Sequence, residues 1–220
     1  MKLPRWLLRF GFHLLYNELA WTYDWVSRAV SLGQWRHWQR AVIPHLNGQR
    51  VLEIAFGTGD LLIDMTAVGY RPYGLDLSPY MIRIARTKLT KKGMATPLCQ
   101  GRVQALPFAN GIFDSIAITF PTDFICQPSA LAEISRVLAP SGRLVVIDEG
   151  YLLDCGLLGR FITWLYVFTR QREPRPELKA LLKRAGFVIT QKDYSNRIST
   201  AHIMIATYVR GRHPWSKLKT

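Results

Sequence analysis

Cysteine is scarce in this sequence, and metal-binding patterns are missing. The three cysteines, Cys99, Cys126 and Cys155, are odd in number and widely separated. Neither they nor the five histidines show the short spacings of metal ligands. We therefore expect no metal centre and no disulfide framework. The cysteines are expected to be small buried residues of a protein that works in a reducing, cytoplasmic compartment.

The sequence also lacks an apolar run long enough to cross a bilayer. Arg9 and His13 interrupt the apolar residues near the start, which argues against a signal peptide. The apolar stretch 156–168 is too short and too interrupted for a transmembrane helix. A helix from Pro4 onward would either place basic and apolar side chains at lipid head groups or pack as an ordinary cover helix, and the sequence leaves both open.

Acidic residues are few outside the middle of the chain. Residues 51–149 carry nine basic and nine acidic side chains, so they contribute nothing to the formal charge of +14. Residues 1–50 carry seven Lys or Arg against two acids, and residues 150–220 carry thirteen against four. Such basic flanks predict attraction to an anionic acceptor or to an anionic surface of phospholipid or nucleic acid, with solubility as the alternative.

The stretch Val51 to Leu62 joins an apolar run to a glycine-bracketed turn and a helix start. The apolar and β-branched residues before Gly57 predict a buried parallel strand that feeds a tight loop, because glycine tolerates backbone angles that other residues resist. Gly59 would let a ligand approach the backbone, and the helix start offers N–H groups to an anion. Leu62 stands where the dinucleotide motif has its third glycine, and the spacing is not that of a P-loop.

A second short strand ends in Asp76, about twenty residues downstream of the glycine turn. In a doubly wound sheet, an acid at this place can accept hydrogen bonds from both hydroxyls of a ribose. Because Ser78 and Pro79 follow, Asp76 could instead belong to an ordinary helix cap. Its distance from the glycine turn favours the ribose interpretation.

The sequence resembles the class I S-adenosylmethionine (SAM) methyltransferases, and among them the ubiquinone/menaquinone-biosynthesis C-methyltransferases and related phospholipid methyltransferases. The resemblance spans roughly residues 16 to 150 and is carried by Tyr23-Asp24, Trp35-Arg36-His37-Trp38, Val51 to Leu62, Gly74 to Met81, Ala105 to Phe108, Phe113-Asp114 and Ile134 to Leu144. It implies an α/β fold with a seven-stranded, doubly wound, mostly parallel Rossmann-like sheet and a helical N-terminal cover. It also implies SAM as the cofactor and methyl transfer as the activity.

The resemblance assigns site residues one by one. Glu53 is expected to help hold the ammonium group of SAM, Asp76 the ribose, and Leu77 and Val103 the adenine. The full set of expected cofactor contacts is Tyr23, Glu53, Ala55, Gly57, Thr58, Gly59, Asp76, Leu77, Met81, Gly101, Val103 and Thr119. The candidates for orienting or deprotonating the acceptor are Tyr23, Asp123 and Glu149. Asp123 follows the predicted fourth strand Phe113–Phe120, and Glu149 follows the predicted fifth strand Arg143–Asp148. Asp123 could instead be an ordinary turn residue and Glu149 a hydrated carboxylate.

Two positions depart from related patterns. Relatives commonly have Asp where Arg102 stands, to accept a hydrogen bond from the adenine amino group, and arginine has no acceptor. Arg102 therefore either stacks on the adenine ring or points outward and leaves recognition to the backbone N–H of Val103. The chain has Pro121-Thr122-Asp123-Phe124 where amino-directed DNA methyltransferases carry Asn/Asp-Pro-Pro-Tyr/Phe, which disfavours a nucleic-acid substrate.

We expect one methyltransferase domain over residues 1–220. Within it we distinguish an N-terminal cover (1–46), a SAM-binding core (47–150), an apolar and basic acceptor cover (151–185) and closing strands (186–210). An apolar cover beside a basic rim suits an amphiphile, so the expected acceptor is a phospholipid head-group amine or an isoprenoid-quinone ring, reached at a peripheral membrane surface. A soluble small-molecule methyltransferase, a nucleic-acid methyltransferase and a non-enzymatic SAM-binding module are the alternatives.

Overall fold

A computed structural model describes residues 11, 14, 17–153, 156 and 176–209. These residues form a seven-stranded sheet with the order β3-β2-β1-β4-β5-β7-β6. Strands β1 to β5 run parallel, whereas β7 pairs antiparallel with both β5 and β6. The sheet confirms the predicted fold class. The strands are β1 Arg50–Ile54, β2 Arg71–Asp76, β3 Leu98–Gln100, β4 Phe113–Thr119, β5 Leu138–Leu152, β6 Phe187–Ser195 and β7 Ser199–Tyr208.

Helices cover both faces of this sheet. Side chains alternate between the faces along each strand, so Ile116 and Ile118 join one apolar cluster and Ala117 joins the other. The helices of the described residues are α1 Tyr23–Val30, α2 Trp35–Arg40, α3 Asp60–Ala67, α4 Pro79–Lys91, α5 Pro128–Val137 and α6 Pro176–Arg184. Side chains from α2, α3 and α4 fill the cluster that contains Ala117, and side chains from α5 and α6 fill the other.

Strand β2 includes Pro72, which has no backbone N–H to donate to a neighbouring strand. The N–H of Arg71 donates to the carbonyl of Gln49, on the side of β1. Successive N–H groups of a strand point to opposite neighbours, so the missing N–H of Pro72 would face β3. Pairing between β2 and β3 begins only at Gly74, and the proline therefore costs no ladder hydrogen bond.

The sequence predicts a turn at residues 139–142 and a fifth strand from Arg143 to Asp148, but β5 is much longer. At its start, the four residues expected to form a turn make an irregularity within the strand, where Ser141 has a φ of +63°. At its far end, pairing with β7 continues to Leu152. The expectation that β5 ends at Asp148 is therefore wrong, because an antiparallel partner satisfies the backbone beyond it.

The closing strands β6 and β7 also exceed their predicted ranges, 187–191 and 202–210, because they pair with each other from Phe187 and Tyr208 to Ser195 and Thr200. None of the helices in the described part of the chain is long and apolar enough to cross a membrane. The predicted helix from Pro4, the apolar and basic stretch 157–175 and the tail 211–220 lie outside the described residues.

Candidate cofactor and acceptor site

The loop between β1 and α3 turns through three residues with left-handed backbones. Ala55, Gly57 and Gly59 have φ values of +58°, +58° and +82°. A Cβ at Gly59 would lie 2.7 Å from the Cβ of Ala85 on α4, whereas a Cβ at Gly57 would meet nothing within 4 Å. Gly59 is thus required by helix packing, and Gly57 leaves open space beside the backbone.

Glu53, near the carboxyl end of β1, has a completely buried side chain. Neither of its carboxyl oxygens has a hydrogen-bond partner among the described residues. Burial, reinforced by the nearby charges of Asp76, Asp60 and Asp64, raises the pKa of Glu53 well above its usual range. An unpaired buried carboxyl group is costly, and a cationic ligand would supply both a charge and donors. Glu53 therefore fits the ammonium group of SAM.

Asp76, at the end of β2, joins that strand to the glycine turn. Its Oδ2 accepts a hydrogen bond of 2.9 Å from the N–H of Gly57, and its Oδ1 accepts one of 2.9 Å from the N–H of Ser78. Burial raises the pKa of Asp76, and backbone donors oppose that shift. The cap of α4 is Ser78, whose Oγ accepts from the N–H of Met81 at 3.2 Å. Each oxygen of Asp76 keeps acceptor capacity for a ribose hydroxyl.

Leu77 continues this edge with an apolar side chain that is 59% exposed. The side-chain amide of Gln100 donates to the carbonyl of Leu77 at 3.2 Å, and the N–H of Gly101 donates to the carbonyl of Asp76 at 3.0 Å. The loop after β3 is therefore tied to the end of β2. An open apolar surface between them suits the face of an adenine ring.

Three other predicted contacts have buried side chains. Val103 is 6% exposed, and its side chain belongs to the core, so only its backbone is suited to a ligand. Met81 is 1% exposed and lies on α4, and Thr119 is the buried last residue of β4. Arg102 is exposed.

An N-terminal aspartate, Asp24, reaches the glycine turn, a contact that the sequence did not signal. The Oγ1 of Thr58 donates to Asp24 Oδ1 at 2.7 Å, although the two residues are 34 apart along the chain. The ammonium group of Lys88 lies 2.6 Å from Asp24 Oδ2 and 3.0 Å from Asp60 Oδ1. This cluster joins α1, α3, α4 and the glycine turn.

Aromatic residues extend the same N-terminal cover over the sheet. Tyr23 lies edge-on to Trp35, whose ring stacks on Phe120 with centroids 4.2 Å apart. Phe120 directly follows β4 and has a φ of +52°. Trp38 is 1% exposed and packs against Gly150 of β5, where a Cβ would lie 2.6 Å from its ring. The cover therefore rests on the carboxyl-terminal parts of β4 and β5.

Asp123 and Glu149, the acceptor candidates, occupy different kinds of structure. Asp123 is exposed and begins a short 3-10 helix, Asp123–Cys126, after β4. Glu149 lies inside β5, opposite His202 of β7, rather than at a strand end. Beside it, His202 Nδ1 lies 2.5 Å from Asp193 Oδ1, and the ring of Tyr151 packs edge-on against the imidazole.

Comparison with known proteins shows which family this chain belongs to. The sequence model of the ubiE/COQ5 methyltransferase family matches residues 11–169. The chain belongs to the ubiE/COQ5 methyltransferase family. It is a SAM-dependent methyltransferase of the ubiquinone/menaquinone group, as the resemblance implied.

Two bacterial relatives illustrate the similarity. A demethylmenaquinone methyltransferase of Thermus thermophilus is 36% identical over 216 residues, which cover 86% of this chain and 98% of that protein. A protein of the same name from Symbiobacterium thermophilum is 28% identical over 212 residues, which cover 80% and 84%.

Solved structures share the fold at low sequence identity. A SAM-dependent methyltransferase from Aquifex aeolicus has a TM-score of 0.61 at 18% identity, over 80% of this chain and 93% of that chain. A geranyl diphosphate C-methyltransferase from Streptomyces coelicolor has a TM-score of 0.62 at 15% identity, over 78% of each chain. At such identities the likeness describes the class I methyltransferase fold alone.

Proposed function

We propose that this ubiE/COQ5 family enzyme methylates a ring carbon of an isoprenoid-quinone precursor in its reduced form. The observation that carries the proposal is the 36% identity to a demethylmenaquinone methyltransferase, because the aligned region includes almost all of that relative. The aromatic carbon must be electron-rich to attack a methyl group, and ring hydroxyls of a reduced quinone supply that electron density. The ring carbon gains the methyl group and loses its hydrogen as a proton.

The proposed cofactor site is the edge formed by the glycine turn, Asp76 and the loop after β3. When bound, SAM supplies a methyl group on a positively charged sulfur, which is a good leaving group. Glu53 would hold the ammonium group, Asp76 would accept hydrogen bonds from the two ribose hydroxyls, and Leu77 would contact the adenine. Gly57 leaves room for the methionine portion, and Tyr23, Ala55, Thr58, Gly59, Met81, Gly101, Val103 and Thr119 complete the proposed set of nearby residues.

The contribution of the protein to the reaction is alignment and exclusion of water. In-line displacement requires the acceptor carbon opposite the departing sulfur, and holding the reactants in that geometry lowers the barrier without new covalent chemistry. The N-terminal cover, stacked through Trp35 on Phe120, closes the carboxyl-terminal edge of the sheet. Tyr23, Asp123 and Glu149 are proposed to orient the acceptor, and the mechanism does not require a general base.

The assay offers several acceptors in parallel. Purified enzyme with labelled SAM receives reduced demethylmenaquinone, phosphatidylethanolamine, RNA and an aqueous metabolite extract in separate reactions. We expect label in the reduced quinone and none in the other acceptors. Asp76→Ala should abolish incorporation, because it removes both the ribose acceptors and the hydrogen bond from Gly57. Label in phosphatidylethanolamine alone would replace the quinone with a phospholipid acceptor.

The cellular place of the enzyme follows from the same proposal. Isoprenoid quinones reside in the bilayer, so the enzyme must meet its acceptor at the membrane surface. We propose a cytoplasmic enzyme that associates peripherally with the inner face of the membrane. The basic flanks of the chain, which carry the whole of its charge of +14, support this placement.

A further inference from the structure

The N-terminal cover exposes a group of large apolar side chains on the outer side of α1. Trp21 and Trp25 are 70% and 72% exposed, and Leu19 and Val26 are 43% and 38% exposed. The 3-10 turn Ala20–Thr22 leads directly into α1, so Trp21, Trp25 and Arg28 follow one another at helical spacing on one side. We call Leu19, Trp21, Trp25 and Val26 the tryptophan face.

The protein-facing side of α1 combines apolar and polar residues, since Val30 packs against the apolar core and Tyr23 contacts Trp35. Ser27 is buried and its hydroxyl donates to the carbonyl of Asp24. Asp24 in turn accepts a hydrogen bond from Thr58 and meets Lys88. A segment that leaves two tryptophans exposed to water loses apolar burial, unless another apolar phase covers those rings.

We propose that the tryptophan face docks on the head-group region of an anionic phospholipid bilayer. Tryptophan favours this region, because its ring is apolar and its N–H is polar. The charge of the protein matches an anionic surface, since the chain carries +14 overall and residues 1–16 hold three Lys or Arg and no acid. The same charge disfavours a second copy as the occupant, because two strongly basic chains repel each other.

Docking through the tryptophan face would bring the glycine turn close to an acceptor in the bilayer. Asp24, which contacts Thr58 of the glycine turn, lies between Trp21 and Trp25 in the sequence, and a helix with its side chains is about 10 Å across. An acceptor ring at the head-group level would therefore lie about one helix diameter from the glycine turn. This inference rests on the proposed function for its purpose, but vesicle binding can be measured without any acceptor.

The first experiment is flotation of the full-length protein with phosphatidylcholine vesicles that contain or lack phosphatidylglycerol. We expect wild type to float with the anionic vesicles. Trp21→Ser combined with Trp25→Ser should bind them about tenfold or more weakly, since two large apolar side chains no longer enter the interface. Val188→Ser, at a residue of β6 that is 61% exposed, is the matched control and should float like wild type.

A second variant and a kinetic readout separate docking from folding and chemistry. Trp21→Phe combined with Trp25→Phe should still float, but quenching of tryptophan fluorescence by brominated lipid should fall. The serine variant should keep wild-type turnover of a detergent-dispersed acceptor and lose turnover of the same acceptor in vesicles. No binding of wild type to anionic vesicles would overturn the proposal. Flotation of the serine variant equal to that of wild type would also overturn it. If the serine changes also converted a dimer to a monomer, the tryptophan face would be an interface between two copies.

Discussion

At the scale of single residues, the two glycines of the turn have different tasks although the motif presents them alike. Both have positive φ values, so any side chain would strain the backbone. Only Gly59 is also pressed against a neighbour, the Cβ of Ala85. Gly57 borders open space instead. The structure therefore distinguishes a glycine needed for folding from one proposed to serve the ligand.

We predict that Gly59→Ala lowers the free energy of unfolding by about 2–4 kcal/mol, since left-handed strain and overpacking against Ala85 both contribute. Gly57→Ala should cost only about 1–2 kcal/mol of stability, for the strain alone. It should nevertheless weaken SAM binding more than Gly59→Ala does, because its methyl group enters the proposed ligand space. Denaturant titration and calorimetry measure the two effects. Equal losses of affinity at equal stability would contradict this division.

Glu53 should link SAM binding to proton release. The pKa of Glu53 is raised in the free protein, so its carboxyl group holds a proton at pH values between the ordinary pKa of glutamate and the raised one. A bound ammonium group favours the ionised form, so binding in this window releases up to one proton and tightens as pH rises towards the raised pKa.

Calorimetry of SAM binding in buffers of different ionisation enthalpy measures this release. Glu53→Gln should abolish it and should weaken binding by about tenfold or more at pH values above the raised pKa. The substitution should also remove a loss of free-enzyme stability that wild type shows as pH rises through the same window. Proton release that is unchanged in Glu53→Gln would place the titrating group elsewhere.

At the scale of elements, polar contacts hold the N-terminal cover on the sheet. Arg36 of α2 donates two hydrogen bonds, of 3.0 and 2.7 Å, to the carboxylate of Asp64 on α3. Asp24 of α1 meets Thr58 and Lys88. These partners lie far apart along the chain, so no periodicity or turn signal indicates them. These contacts attach α1 to the glycine turn and α2 to the helix α3 that follows it.

We predict that Asp24→Ala raises the KM for SAM about fivefold and lowers stability by about 1 kcal/mol, because Asp24 and Lys88 are both partly exposed and such pairs are screened. Asp24→Asn is the matched variant, since its side-chain oxygen can still accept from Thr58. We expect it to restore most of the affinity. An Asp24→Ala enzyme with unchanged KM would show that the cover does not depend on this contact.

A second prediction at this scale concerns the contact between α2 and β5. Gly150→Ala should destabilise the protein by about 1–3 kcal/mol, because the new methyl group would lie 2.6 Å from the ring of Trp38. Combined with Trp38→Leu, which makes room, it should cost less than the sum of the two single changes. Thermal denaturation of the three variants tests this. Strict additivity would mean that the two residues do not press on each other.

Much of the fold could be predicted at this scale because its signals are local. The apolar run before Gly57 and the cap residue Ser78 each mark a boundary through nearby residues, and α4 begins directly after Ser78. The extension of β5 to Leu152 could not be predicted in this way, since its backbone hydrogen bonds depend on β7, some fifty residues later in the chain.

At the scale of the whole molecule, the net charge and the proposed cofactor site lie in different parts of the sequence. The stretch 51–149, which holds most of the proposed cofactor site, is neutral, and the flanks carry the whole net charge of +14. The sequence predicted the cofactor site through its motifs. It did not show which apolar residues would remain exposed. Large aromatic residues such as Trp21 and Trp25 are usually buried, and only the structure shows which side of α1 faces the core. The tryptophan face thus depends on tertiary structure.

The most direct test of the proposed function is the position of the transferred methyl group on the acceptor. The enzyme is incubated with SAM that carries a deuterated methyl group and with reduced demethylmenaquinone, and the product is analysed by NMR and mass spectrometry. We predict the deuterated methyl group on a ring carbon, with loss of the ring hydrogen at that position and no product from Asp76→Ala. A deuterated methyl group on a ring oxygen, or an unmodified quinone beside methylated phospholipid, would contradict the proposed methylation of a ring carbon.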